Sequence, residues 1–257
     1  MSHGVALADL HCGHQAGLTP EEWWFNGSGP QRAKWRKLQR ELWAEYRGLV
    51  DKIGPVDFLL VNADCIDGRG ERSGSTEVIT TSRLEQVEMA VECLKLWEAK
   101  QVVLSRGTPY HVGVEEDFED LIAQSLGGYI KDHPFIDIEG VMFDMKHHIG
   151  TSSIPHGRST ALGRDWMWNA LWAARQEQPK ADVLLRAHTH YFRYTGEEDW
   201  LAMILPALQA ASTKYGARQC SGRVSWGVVE WWCEGGEYRW QPHVLQLKAN
   251  KVAPIKL

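Results

Sequence analysis

No apolar run in the chain approaches the roughly 20 residues needed to cross a bilayer, so no membrane span is expected. Cysteine is sparse. Cys12, Cys65, Cys93, Cys220 and Cys233 are odd in number and irregular in spacing, which argues against a disulfide framework and for reduced thiols in a reducing, cytoplasmic compartment. Positive charge is not in excess: 28 Lys and Arg against 33 Asp and Glu leave a formal charge of −5, which argues against coating nucleic acid through bulk charge. The opening Met1-Ser2-His3-Gly4-Val5-Ala6 has no basic stretch and its apolar run breaks at Asp9, so no signal peptide is expected. Internal repeats and low-complexity segments are also missing. The densest turn signal, Asn26-Gly27-Ser28-Gly29-Pro30, is too short for a linker. The reading is one domain over 1–257, with a helical insertion at about 19–54 and a C-terminal β-hairpin at about 224–247.

What is present is alternation. Val5–Ala8 is a short apolar run, and Phe58–Val61 is another after Pro55. Between them Trp35, Leu38, Leu42, Tyr46 and Leu49 recur at helical spacing. Ser82 with Glu85 resembles a capping box opening a helix with Leu84, Val87, Val91 and Leu94 on one face. Val102–Leu104 predicts a third strand, and Phe118, Leu121, Ile122 and Leu126 a helix closed by Gly127-Gly128. Residues 135–146 read as strand pieces, 160–176 as a Trp-rich helix and 181–185 as a strand. Val224–Cys233 and Tyr238–Leu247 flank Glu234-Gly235-Gly236-Glu237 as a hairpin. Strand and helix alternate first and antiparallel strands follow, which is an α/β layered domain.

Several of these strands stop on metal-capable residues: Asp9-Leu10-His11, Asp64 with Asp67-Gly68, His147-His148, and His188-Thr189-His190. In layered α/β domains the carboxyl ends of strands gather at one edge, where ligands bind. Residues at i and i+2 of an extended segment point the same way, so Asp-x-His and His-x-His can each present two donors. Mixed carboxylate and imidazole donors suit zinc, manganese or iron, and the lack of paired cysteines argues against a structural zinc site.

This order of motifs, with a Gly-initiated loop at Gly107, resembles the calcineurin-like metallophosphoesterase superfamily from about residue 5 to 215. Gly107-Thr108-Pro109-Tyr110-His111-Val112-Gly113 and His147-His148-Ile149-Gly150 look like the variant in phage and prophage members. The resemblance implies a four-layer α/β/β/α sandwich with two mixed sheets and two divalent metal ions, Mn2+, Zn2+, Fe or Ni2+. Carried over by position, Asp9, His11 and His190 hold one metal and Asp64 bridges both. His188, a middle histidine and residue 108 hold the second. His147 and His148 compete for the middle role, with His148 preferred.

The family loop usually reads Gly-Asn-His-Asp or Gly-Asn-His-Glu. Here Thr108 falls on the Asn position, and His111, displaced by two residues, serves as catalytic acid or replaces the missing ligand. Ala63 and Ala187 stand where the family has glycine. Asp67 would orient a ligand histidine, and Arg158 could grip a substrate phosphate. The implied chemistry is phosphoester hydrolysis by attack of metal-bound hydroxide, with phosphodiesters as first choice of substrate.

Two alternatives stay open: a nuclease, or a non-catalytic scaffold on the same fold. Arg32, Lys34, Arg36, Lys37 and Arg40 are the support for a nucleic-acid partner, which is not favoured against a solvated helix face. Core filling accounts for most of the 13 tryptophans, and a homo-oligomer is left open.

Overall fold

The computed structural model describes residues 1–24, 29–113, 117–152, 154–210 and 224–248. The Asn26-Gly27-Ser28 turn and Cys220 lie outside the described residues. Strand β1 (Ser2–Ala8) leads into α1 (Pro30–Ile53), followed by β2 (Phe58–Asn62), α2 (Arg83–Lys95) and β3 (Gln101–Ser105). After α3 (Pro109–Val112) and α4 (Phe118–Leu126) come β4 (Tyr129–Lys131), β5 (Phe135–Ile138) and β6 (Val141–Met145). Helix α5 (Thr160–Ala174) precedes β7 (Val183–Arg186), β8 (Arg193–Glu197), β9 (Trp200–Ile204), β10 (Trp226–Glu234) and β11 (Glu237–Leu245).

The strands form two sheets. The first has the order β11-β10-β1-β2-β3-β4, with β1 to β4 parallel and the β10–β11 hairpin antiparallel to β1. The second has the order β5-β6-β7-β9-β8, parallel through β6, β7 and β9 with antiparallel edges. Three cores separate four layers. Val5 and Leu7 pack with Leu42, Tyr46 and Trp97 under the helices of the first sheet. Ala6, Ala8, Phe143, Leu185 and Trp231 fill the space between the sheets. Leu184, Ala202 and Ile204 pack with Leu162 of α5. Alternate residues of β1 thus feed two different cores, as the pleat requires.

The structure departs from the sequence reading in its strands and in its helix faces. β4, β8 and β9 were not expected, although all five residues of β9 are buried inside the second sheet. The β9 run Trp-Leu-Ala-Met-Ile lacks the β-branched signature of a strand until its last residue. Leu84 of α2 is 58% exposed and Leu121 of α4 is 38% exposed, while Gln86 and Glu119 are fully buried. Two helices therefore turn a polar side chain inward where apolar spacing would place leucine, and both of those side chains reach the site. The Ser82 cap also forms by half: its hydroxyl accepts from the Glu85 N–H at 3.4 Å, while its own N–H donates to Thr80 Oγ1 at 3.1 Å. Among the described residues, no helix is long and apolar enough to cross a membrane.

Candidate metal centre

The carboxyl ends of β1, β2, β3, β6 and β7 deliver every candidate donor. The backbone turns sharply there. Asp9, His11, Ala63, Asp64, His188 and His190 all have φ between 46° and 72°, in the left-handed region. The pairs therefore do not lie in extended segments as the i, i+2 argument assumed. Each donor leaves the strand through a left-handed step, and His188 and His190 turn toward different partners. Such conformations cost about 1–2 kcal/mol per non-glycine residue, so the surrounding contacts must hold them.

Three groups of donor atoms lie within 4.8 Å of one another: Asp9, His11 and His190; Asp64, His147 and His188; and His11, Asp64 and His111. Each of these groups could hold a metal ion. In the first, His11 Nε2 faces His190 Nε2 at 3.2 Å, and Asp9 Oδ1 lies 3.3 Å from His190 Nε2 and 3.8 Å from His11 Nε2. Asp9 Oδ1 is buried and has no hydrogen-bond partner. In the second, His147 Nδ1 sits 2.9 Å from the Asn62 carbonyl oxygen and must carry a proton to donate to it. Its Nε2 then faces Asp64 Oδ2 at 2.9 Å. A neutral imidazole would set a lone pair against a carboxylate there, unless a proton or a cation intervenes.

It is the ring of His147 that the structure places in this group. His148 is exposed, with its ring 4.9 Å from that of His188, and belongs to none of the three groups. Successive residues after a strand point apart, so only one of the two histidines can turn inward. Thr108 lies beside the same group. Its N–H donates to Asp64 Oδ1 at 2.7 Å and its hydroxyl to Asp64 Oδ2 at 3.0 Å, and Thr108 Oγ1 is 3.5 Å from His188 Nδ1. A Cβ at position 107 would collide with Asp64 Oδ1, so Gly107 is what allows this approach.

Asp67 supports two histidines at once. Its Oδ1 lies 3.0 Å from His11 Nδ1 and its backbone carbonyl 2.8 Å from His111 Nδ1. Both rings are thereby fixed with Nε2 toward the centre, as an outer carboxylate or carbonyl does for a metal-ligating histidine. Gln86 in turn accepts from the Asp67 and Gly68 N–H groups at 3.2 and 2.8 Å. Arg158 is half-buried, its guanidinium 4.7 Å from the ring centre of Tyr191, the residue after His190, and its Nε is buried without a partner.

The electrostatics follow from this crowding. Burial opposes the charged form of His11, but Asp67 and Asp9 outweigh it and hold the ring up at about 10. His147, likewise opposed by burial, is lifted to about 9 by Asp64. His188, without a carboxylate of its own, is pushed down to about 4 by burial and by the His147 charge. Asp9 is held well below the carboxylate range by His190 and its neighbours, against a large burial penalty. Protons on imidazoles therefore balance the buried carboxylates, the role a divalent cation takes when it binds.

No family model matches the chain, and no curated protein matches it in sequence. Among solved structures, Vps29 from Chaetomium thermophilum is similar over 98% of this chain and 95% of its own, at 13% identity and a TM-score of 0.50. The chain has the metallophosphoesterase fold. A predicted phosphoesterase from Streptococcus pneumoniae matches at 11% identity over 98% of this chain and 93% of its own, with a TM-score of 0.43. An archaeal phosphodiesterase matches at 11% identity over 93% and 99%, with a TM-score of 0.47. The likeness to the Chaetomium thermophilum Vps29 carries the fold and no activity.

The polar side chains that sequence reasoning missed are Gln86 and Glu119. Each sits on a helix that reads as amphipathic, where a Gln or Glu is assigned to solvent. The only one-dimensional signal is the leucine two residues away that a burial pattern leaves over.

Proposed function

We propose that the chain is a metal-dependent phosphoester hydrolase acting on phosphodiesters, with all of its site carried by one domain. The observation that carries this reading is the buried, unpartnered Asp9 Oδ1 amid imidazole nitrogens, a donor set that only a cation or added protons can balance. Asp9, His11 and His190 would hold one divalent cation, and Asp64, His147 and His188 a second, with the Thr108 hydroxyl beside it. Asp64 would be the shared carboxylate: it belongs to the second group, and with His111 it also lies beside His11 of the first. His147 is preferred to His148 on the direction of its Nε2.

Two such cations would supply charge stabilisation at the phosphoryl oxygens and a source of hydroxide at neutral pH. The chain's own residues do the rest. His111, whose Nδ1–H donates to the Asp67 carbonyl, delivers a proton from Nε2 to the leaving oxygen only as the imidazolium, a form that burial and the His11 charge disfavour until an anionic substrate lies beside it. Arg158, stacked on Tyr191, is preset to pair with a phosphate oxygen.

The test is hydrolysis of bis(p-nitrophenyl) phosphate beside p-nitrophenyl phosphate, on metal-stripped protein and after adding manganese, zinc or nickel. Faster diester turnover restored by metal supports the reading; no turnover with any metal in folded protein removes it. His111→Ala is expected to slow esters with poor leaving groups far more than nitrophenyl esters. Equal slowing would make His111 a metal ligand instead of an acid.

A further inference from the structure

Glu119 is a fully buried acid on the first turn of α4, a place where Glu is ordinarily solvated. Its Oε1 accepts from the Cys65 N–H at 2.8 Å and its Oε2 from the Gly107 N–H at 2.7 Å. Those two amides belong to different loops, one following β2 and one following β3. Cys65 is the neighbour of Asp64, and Gly107 is the neighbour of Thr108, whose N–H and hydroxyl both hold the Asp64 carboxylate. One carboxylate thus spans the loop that carries Asp64 and the loop that carries Thr108, both of which border the His147 and His188 rings. The Asp9, His11 and His190 group depends on a separate brace, in which Gln86 holds the Asp67 loop and Asp67 holds His11.

We infer that Glu119 is a positioning residue that acts mainly on the second cation: it sets the distance of Thr108, which lies beside the second group only, from Asp64, and so selects which half of the centre is filled. The inference rests on the metal-dependent reading above. Both carboxylate oxygens are required as acceptors, because a glutamine would present an NH2 group to one of the two backbone N–H groups. One loop must then withdraw, taking Asp64 or Thr108 with it. The exposed Leu121 marks the local cost of this arrangement, since a leucine two residues on is left in solvent while the acid is buried.

The experiment is manganese titration of chelator-stripped wild type and Glu119→Gln, with free ion followed by electron paramagnetic resonance and the metal-free fold checked by circular dichroism. Wild type is expected to take up two ions. In E119Q the first ion is expected to bind within about threefold of wild type, and the second at least tenfold more weakly, the range for loss of an outer brace. Glu119→Asp, which keeps both acceptors on a shorter stem, is expected to restore part of the second affinity. Equal weakening of both ions marks a general structural role and overturns the inference, as does unchanged two-ion uptake. No uptake by wild type overturns the functional reading and this inference with it. If E119Q does not fold, E119D carries the test: selective weakening of the second ion supports the inference, and equal weakening of both overturns it.

Discussion

Two buried polar clusters border the second sheet, one on its α5 side and one at the carboxyl ends of its strands, and they are balanced in opposite ways. Behind β6 and β7, Arg186 Nη1 donates to Asp144 Oδ1 at 2.8 Å and its Nε to Asp165 Oδ2 at 2.9 Å. His133 Nε2 lies 2.7 Å from the same Asp144 Oδ1, and Asn169 Nδ2 donates to Asp144 Oδ2 at 3.3 Å. Each Asp144 oxygen meets a donor. At the strand ends, by contrast, imidazole nitrogens face one another or face carboxylates, and Asp9 Oδ1 makes no hydrogen bond although His190 Nε2 lies 3.3 Å from it. Burial is the same and charge is abundant in both. The difference is that the first cluster closes on itself, whereas the second needs something from outside. Density of charged residues does not mark a functional site; an incomplete donor–acceptor balance does.

The comparison is most directly broken at Asp64. Asp64→Asn keeps the shape but removes the shared charge, and diester turnover is expected to fall by about a thousandfold or more, the scale of losing a main electrostatic group. Wild-type-like rates in metal-loaded protein would remove its bridging role. Next, His147→Ala is expected to remove the second ion's part of the rise in melting temperature that added metal gives, while His148→Ala keeps the whole rise. The reverse result would return the middle position to His148. Asp67→Asn, which weakens the hold on His11, is expected to reduce metal affinity by about 10–100-fold in a titration. An unchanged affinity would show that His11 is held by packing alone.

The smallest effect belongs to the closed cluster. Burial disfavours the charge on Asp144, but His133 and Arg186 outweigh it and hold the carboxyl at about 2 against 3.8 ordinarily. Because the folded value is depressed, its stabilisation is complete above about pH 4 and is lost as pH falls through 2; it amounts to about 2 kcal/mol. In Asp144→Asn the acid-induced loss of stability over that window is expected to shrink by this amount, with chelator or without. A loss that depended on metal would tie the two clusters together and erase the contrast.

The parts of this arrangement that were legible in sequence are those with a period or a punctuation mark. Trp35, Leu38, Leu42, Tyr46 and Leu49 form the buried stripe their spacing predicts. Asp9, Asp64, the His147-His148 pair and His188 follow the ends of buried strands, and parallel pairing brings those ends to one edge. The choice between His147 and His148 was not legible, because it depends on the direction the chain takes after β6, fixed by the Asn62 carbonyl from another strand. Gln86 and Glu119 were not legible either. Each is inward because of a loop amide distant in sequence, 18 residues away for Gly68 and 54 for Cys65. A helical repeat reports which face is apolar, and it says nothing of an amide elsewhere that needs an acceptor.

The left-handed steps at Asp9, His11, Asp64, His188 and His190 have one more consequence. Glycine would adopt each of them without steric penalty, so at all five positions the residue best for the empty fold differs from the residue best for holding a cation. Selection for thermostability in metal-free medium would therefore discard these donors among its earliest gains. The edge is a place where the demands of folding and of the proposed chemistry pull against each other.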